Sequence, residues 1–247
     1  MKKTGVALYT VRFIALAALM VATILVFSVM FKGLLDARSN DTVTSGLPKI
    51  DRGVLIIDAG HGGEDAGAVA SDGTLEKDLN LQIASLIKVL CDLNGTKAVM
   101  TRTEDTLLYD YYDDLEDYTG QKKLYDLKNR VKIANEYEGA VYLGIHMNKF
   151  SIPKYSGTQV YFSPNNSSSE LFARCVQNQA RTHLQPSNNR TVKRADSSIY
   201  VLNSLLCPAI LVECGFLSNE AELECLKSSD YQARLALVLF SSSLAQL

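Results

Sequence analysis

Short, unbroken apolar runs separated by amphipathic stretches constrain the fold of this chain most strongly. Residues 54–57, 140–145 and 209–212 carry no charged side chain and are apolar almost throughout. A strand that is apolar at every position is buried on both faces, as in a parallel sheet covered by helices. Between the runs, apolar residues recur at helical spacing, for example across residues 79–90. This alternation predicts an α/β fold, with a mostly parallel sheet in a three-layer αβα sandwich.

Length, charge and cysteine content narrow the class of protein. The 247 residues are enough for one domain of this kind and a short additional segment. A formal net charge of −2 gives no sign of a nucleic-acid-binding surface, so no nucleic-acid partner is expected. The five cysteines are far apart, odd in number and lack a Cys-x-x-Cys pair, which argues against a disulfide framework and a cysteine-ligated metal.

An uncharged segment at residues 13–31 precedes the globular pattern. Lys2, Lys3 and Arg12 come before it, and Lys32 follows it. The run is long enough to cross a bilayer, which takes roughly 17–25 residues. A cleavable signal peptide is the alternative, but its apolar core is usually shorter and ends at an Ala-x-Ala-like site that is not evident here. We therefore predict an N-terminal transmembrane helix.

The predicted anchor divides the chain into four parts. The expected parts are a cytoplasmic N-terminus at residues 1–12, the transmembrane anchor at 13–31, a polar linker at 32–51 and a globular domain at 52–247. The slight excess of positive charge before the span favours an exported body. The expected location is the cell membrane, as a single-pass protein with its globular domain outside the cytoplasm, or a secreted protein if the segment is cleaved.

Side chains that can bind a metal or transfer a proton occur where predicted strands end and where a predicted helix begins. His61 lies just past the first strand, and His146 and Glu213 each end a later one. Glu76 lies in the first turn of the helix that follows the first strand. In a parallel sheet these strand ends and helix starts share one edge, where ligands bind. The pattern predicts that two imidazoles and two carboxylates converge there.

Two histidines and one carboxylate are a common ligand set for catalytic Zn²⁺, with a fourth position left for water. We assign His61, Glu76 and His146 as zinc ligands and Glu213 as the general base that moves a proton from water to the leaving nitrogen. Taken singly, His61 could be a turn residue among glycines, and Glu76 could simply stabilise a helix N-terminus. Glu213 is harder to explain structurally, because a carboxylate ending an apolar strand is costly unless paired.

The sequence gives weaker support to two other kinds of site, a cysteine hydrolase and a nucleotide-binding loop. A Cys–His hydrolase would need Cys214 in the crevice, but an extended strand directs Cys214 and its neighbour Glu213 to opposite faces, so Cys214 is expected in the core. The glycine-rich stretch after the first strand lacks the dinucleotide spacing, because Asp65 replaces the last glycine. It also lacks the phosphate-binding lysine, whose position is taken by Ala68. His183 is interpreted as a solvated residue near a helix end.

These residues resemble the zinc-dependent N-acetylmuramoyl-L-alanine amidases, over about residues 52–244. The similar motifs are Asp-Ala-Gly-His-Gly-Gly at 58–63, Glu-Lys-Asp at 76–78, Ile-His-Met-Asn at 145–148 and Val-Glu-Cys-Gly-Phe-Leu-Ser-Asn at 212–219. The resemblance implies the roles assigned above, a mixed sheet of about six strands flanked by helices, and cleavage of the amide between N-acetylmuramic acid and L-alanine in peptidoglycan. The implied partners are peptidoglycan and a membrane, and the need for a protein activator stays open.

An acidic, tyrosine-rich stretch at residues 104–118 is interpreted as a surface insertion. This stretch, the predicted anchor and the lack of wall-binding repeats resemble sporulation- and germination-specific members in Gram-positive bacteria. Those members remove peptide from spore cortex peptidoglycan so that muramic lactam can form. Two other function classes stay open: another zinc peptidoglycan hydrolase, such as a carboxypeptidase or deacetylase, and a non-catalytic wall-binding module.

Overall fold

The computed structural model describes residues 53–113 and 119–247. The predicted cytoplasmic segment, transmembrane anchor and linker lie outside the described residues, as does part of the predicted insertion. Within the described ranges, no helix has the length and apolar character needed to cross a membrane.

A six-stranded sheet forms the middle layer. Its strands are β1 (Val54–Ala59), β2 (Ala98–Met100), β3 (Ala140–Asn148), β4 (Gln159–Phe162), β5 (Lys193–Arg194) and β6 (Ala209–Phe216). They lie in the order β2-β1-β3-β6-β4-β5. The first four strands in this order are parallel, whereas β4 runs antiparallel to β6 and β5 runs parallel to β4. The expected mixed, mostly parallel sheet is therefore confirmed.

Helices cover both faces of the sheet and complete the predicted three layers. They are α1 (Glu76–Asn94), α2 (Lys122–Asn135), α3 (Ser168–His183), α4 (Tyr200–Ser204), α5 (Glu220–Lys227) and α6 (Ser229–Leu244). Helices α1, α3 and α6 pack on one face with α5, and α2 and α4 pack on the other. The sequence did not predict β5, α4 or α5, because elements this short show too little periodicity.

Alternate residues of the central strands enter two separate cores. Leu55 and Ile57 of β1 join the cluster beneath α1, α3 and α6. Ile56 of β1 and Tyr142 of β3 join the cluster beneath α2 and α4. These side chains are at most 2% exposed. Burial on both faces explains why the predicted strands are apolar at nearly every position.

The strand register sets the place of the site. Ala59 at the end of β1 lies beside Ile145 of β3, and His146 lies beside Glu213 of β6. Because these three strands are parallel, their carboxyl ends form one edge of the sheet. The loop after β1 and the start of α1 meet the same edge.

Two neighbouring residues of α3 test the assignment of the core. Phe172 is fully buried, so Phe172→Ala should lower the free energy of unfolding by about 3–5 kcal/mol. Leu171 is 68% exposed, so Leu171→Ala should change it by about 0.5 kcal/mol or less. Urea titration followed by circular dichroism measures both variants. Equal losses would contradict the described packing of α3.

Candidate metal centre

The structure brings three of the predicted site residues together at the carboxyl edge of the sheet. His61 comes from the loop after β1, Glu76 is the first residue of α1, and His146 lies in β3. One ligand atom from each lies within 4.8 Å of the others. The Oε1 atom of Glu76 is 3.2 Å from Nε2 of His61 and 3.0 Å from Nδ1 of His146. The convergence is found, and these residues could hold a metal ion.

Glycines allow the three side chains to approach each other. A Cβ atom at Gly60 would lie 2.2 Å from the ring of His146, and one at Gly67 would lie 2.6 Å from Oε2 of Glu76. Both distances are shorter than a tolerable contact, so a larger residue at either position would displace a site residue. The glycine-rich loop therefore makes room for the site residues.

Glu76 is a buried carboxylate surrounded by donors. Its Oε2 accepts the Ala68 N–H at 2.7 Å, and its Oε1 accepts the Met147 N–H at 3.0 Å. Burial opposes ionisation, but hydrogen bonds from His146 and His61 outweigh it and hold the pKa of Glu76 well below its usual range. The side chain is therefore an ionised, rigidly placed carboxylate.

Asp65 orients the ring of His61. Its Oδ2 lies 2.9 Å from Nδ1 of His61, which leaves Nε2 facing Glu76. Burial lowers the pKa of His61, but the hydrogen bonds to Asp65 and Glu76 outweigh it and raise the pKa to about 9. A carboxylate on the second ring nitrogen is the usual partner of a metal-binding histidine. The sequence did not predict this role of Asp65, because its spacing of four residues from His61 is informative only once the loop conformation is known.

Glu213 lies beside His146 on β6, in a different environment from Glu76. Its Oε2 is buried and has no hydrogen-bond partner among the described residues. Burial raises the pKa of Glu213 to about 7, repulsion from Glu76 adds to this rise, and attraction to His146 opposes it. A carboxyl group with this pKa can both take and release a proton near neutral pH.

The neighbouring cysteine does not enter the site. Cys214 is fully buried in the core cluster on the other face of the sheet, as predicted from strand alternation. Burial raises the pKa of its thiol well above the usual range, so a reactive thiolate is disfavoured. His183 is exposed at the end of α3, also as predicted.

A cavity of about 260 Å³ adjoins the two histidines on the α2 and α4 side of the sheet. Lys123 and Leu127 line it from α2, and Tyr200 and Leu202 line it from α4. The cavity combines apolar walls with a few charged groups, as ligand-binding cavities usually do. Part of a substrate that reaches the site from solvent can be accommodated here.

Comparisons with known proteins point to one family. The sequence profile described as N-acetylmuramoyl-L-alanine amidase matches residues 55–240. The germination-specific N-acetylmuramoyl-L-alanine amidase of Bacillus subtilis is 33% identical over 191 residues, which are 77% of this chain and 78% of that protein. The CwlD amidase of Clostridioides difficile, solved in complex with the GerS lipoprotein, has a TM-score of 0.72 and 35% identity, covering 79% of this chain and 98% of that one. The amidase AmiC2 of Nostoc punctiforme has a TM-score of 0.64 and 29% identity, covering 78% and 95%.

The raised pKa of Glu213 predicts a pH-dependent stability of the metal-free protein. The folded state holds this proton up to about pH 7, against an ordinary value of 4.5. The resulting stabilisation is fully present below pH 4.5 and is lost as pH rises through 7, a loss of at most roughly 3 kcal/mol. Glu213→Gln is neutral at every pH and should remove this loss. Urea titrations in chelator at a series of pH values measure it.

The control is Glu220→Gln, which changes an exposed carboxylate in the first turn of α5. It should follow the wild-type pH profile. Parallel profiles for wild type and Glu213→Gln would contradict the raised pKa of the Glu213 carboxyl group.

Proposed function

Since the chain belongs to the N-acetylmuramoyl-L-alanine amidase family, we propose that it cleaves the amide between N-acetylmuramic acid and L-alanine with the help of zinc, in spore cortex peptidoglycan. Family membership supports the amidase activity on peptidoglycan. The metal, the residue roles and the cortex are our proposal. The observation that carries it is the convergence of His61, Glu76 and His146 on one edge, with Glu213 beside them.

Zinc suits the donors of this site. Two imidazole nitrogens and one carboxylate oxygen form a common three-ligand set for catalytic zinc, and the three ligand atoms are already grouped within 4.8 Å. Glu76 supplies the negative charge, and Asp65 keeps Nδ1 of His61 occupied so that Nε2 is free to bind. When bound, zinc would polarise the scissile carbonyl and lower the pKa of a water molecule.

Glu213 is the proposed general base. Its partly exposed side chain lies beside a proposed ligand, and one of its oxygens has no competing donor. The carboxylate would take a proton from the attacking water and deliver it to the nitrogen of L-alanine as the amide bond breaks. In the metal-free site burial raises the pKa of this carboxyl group, so it holds a proton more readily than an exposed glutamate does.

The relatives support the narrower parts of the proposal. One is named for germination, and another was solved in complex with a lipoprotein. We infer that spore cortex is the substrate and that the partner is a lipoprotein. The uncharged run at residues 13–31 supports a membrane anchor, with residues 52–247 outside the cytoplasm. Family membership favours this activity over carboxypeptidase, deacetylase and non-catalytic binding functions.

Digestion of purified peptidoglycan tests the proposed bond and metal. Mass analysis should find free stem peptides that begin with an unblocked L-alanine amine, and a chelator should abolish their release. Added zinc should restore it. Release of D-alanine or acetate in place of stem peptides would identify a carboxypeptidase or a deacetylase.

Paired variants separate the roles of the two carboxylates. Glu213→Gln should retain zinc and lose activity by about 10²–10⁴-fold, because it keeps its shape but cannot accept a proton. Glu76→Gln should lose zinc affinity, because a neutral amide is a poorer ligand than a carboxylate. Zinc content and peptide release are measured for each, with Glu220→Gln as the exposed control. Loss of zinc from Glu213→Gln alone would show that the roles are reversed.

Membrane fractionation tests the anchor. The protein should stay with membranes after a carbonate wash, because the uncharged run at 13–31 is long enough to span the bilayer. Deletion of residues 13–31 should release it. Recovery of a soluble chain that begins after residue 31 would instead establish a cleaved signal peptide.

A further inference from the structure

Two buried arginines hydrogen-bond to the backbone that carries His61. Arg102 donates from Nε to the Ala59 carbonyl at 2.8 Å and from Nη2 to the Gly60 carbonyl at 3.1 Å. Arg130 donates from Nη1 to the Ala59 carbonyl and from Nη2 to the His61 carbonyl, both at 2.9 Å. Three successive carbonyl groups therefore face two guanidinium groups. We call Arg102 and Arg130 the arginine clamp.

Arg102 also reaches the segment that carries Glu76. Its Nη2 donates to the carbonyl of Lys77 at 2.8 Å, one residue after Glu76, and its Nη1 donates to the carbonyl of Glu104 at 2.9 Å. The side chain is 3% exposed. A single guanidinium group thus links the loop after β1 to the first turn of α1, which are the segments that bear two of the proposed ligands.

Arg130 is held in place by carboxylates. Its Nη1 lies 2.5 Å from Oδ1 of Asp58, and its Nε lies 2.8 Å from Oδ2 of Asp126. Asp58 also accepts hydrogen bonds from the hydroxyls of Thr101 and Tyr142. All of these side chains are at most 3% exposed. The positive charge of Arg130 is therefore neutralised, and several contacts fix the orientation of its guanidinium group.

Stability alone does not explain this arrangement. Burying charged groups is costly, and well-packed apolar side chains in their place are often as stable. What arginine adds is a rigid fork of donors that can bind several acceptors at once. Here the acceptors are carbonyls at a turn where His61 adopts φ of +63°, a conformation uncommon for a residue other than glycine. Such a conformation persists where the surroundings enforce it.

We propose that Arg102 and Arg130 are positioning residues of the metal centre. They hold the backbone at residues 59–61 and at Lys77, so that the imidazole of His61 and the carboxylate of Glu76 are in place before the metal binds. The inference rests on the proposed function, because it assumes that these two side chains bind zinc. It concerns metal affinity and geometry, since neither arginine is assigned a direct part in the reaction.

Lysine substitutions test the clamp in the full-length protein. Lysine keeps the positive charge but cannot bind several carbonyls as a fork. Arg102→Lys and Arg130→Lys should each weaken zinc binding by about 10–100-fold, as measured by competition with a chromophoric chelator. The visible absorption spectrum of the cobalt-substituted protein should also change, because it reports the ligand geometry.

Arg181→Lys is the matched control. Arg181 also donates to two backbone carbonyls, those of Asn188 at 2.6 Å and Arg190 at 2.9 Å. Neither Asn188 nor Arg190 is a proposed metal ligand or lies next to one in the sequence. This variant loses the same kind of hydrogen bond, so its melting temperature should fall while its zinc affinity and cobalt spectrum match those of wild type. A general loss of stability would affect all three variants alike.

The outcomes distinguish failure of the clamp from failure of the metal site. A folded Arg102→Lys protein with wild-type zinc affinity and cobalt spectrum would overturn the inference. Arg130→Lys also disturbs two carboxylate pairs, so the two variants are judged separately. A folded Arg130→Lys protein with wild-type zinc affinity and cobalt spectrum would overturn the positioning role of Arg130. His61→Ala should lose zinc. If it binds zinc as tightly as wild type, the proposed metal site itself is wrong. If His61→Ala loses zinc and neither arginine variant does, the metal site is supported and the positioning role of the arginines is contradicted.

Discussion

The buried ion pair between Asp58 and Arg130 lies at the end of β1, next to the turn that carries His61. Asp58 is the last-but-one residue of the strand, and its carboxylate holds the guanidinium group of Arg130 against the end of the sheet. From there the same guanidinium group reaches the carbonyls of the turn that presents His61. The path of the chain beyond the sheet thus depends on a charged contact that is buried among other polar groups. Removing one partner of such a pair is far more costly than replacing both, because the remaining charge is left buried alone.

The register of the strands then places the other side chains of the site at the same edge of the sheet. The parallel pairing of β3 and β6 sets His146 beside Glu213, and the pairing of β1 and β3 brings the turn with His61 to the same edge. This edge contains two glutamates with opposite properties. Glu76 is surrounded by donors that keep its pKa low. In Glu213, by contrast, one buried oxygen has no partner among the described residues, and the pKa of the carboxyl group is raised to about 7. Two carboxylates whose surroundings drive their pKa values apart suit different tasks, one as a ligand and one as a proton carrier.

The proposed amidase mechanism needs both properties at once. A ligand must stay ionised and fixed, and a base must take a proton and give it up within one reaction cycle. The clamp, the Asp65–His61 hydrogen bond and the close approach allowed by glycine all act on the ligand side. On the base side, burial is the main cause of the raised pKa of Glu213, and repulsion from Glu76 adds to it.

The sequence by itself determined the α/β class, the layered sheet and the four residues His61, Glu76, His146 and Glu213 that meet at its edge. It could do so because strand and helix periodicity are local, and because the ends of parallel strands share an edge whatever the details of packing. Only the tertiary structure decided that β4 and β5 run against the rest, that Asp65 orients His61, and that Arg102 and Arg130 hold the turn. The hydrogen bonds from the two arginines to the backbone at residues 59–61 and at Lys77 join residues 25 to 71 positions apart in the chain. Such pairings leave no periodic trace in a sequence, since each depends on where folding places the partner backbone.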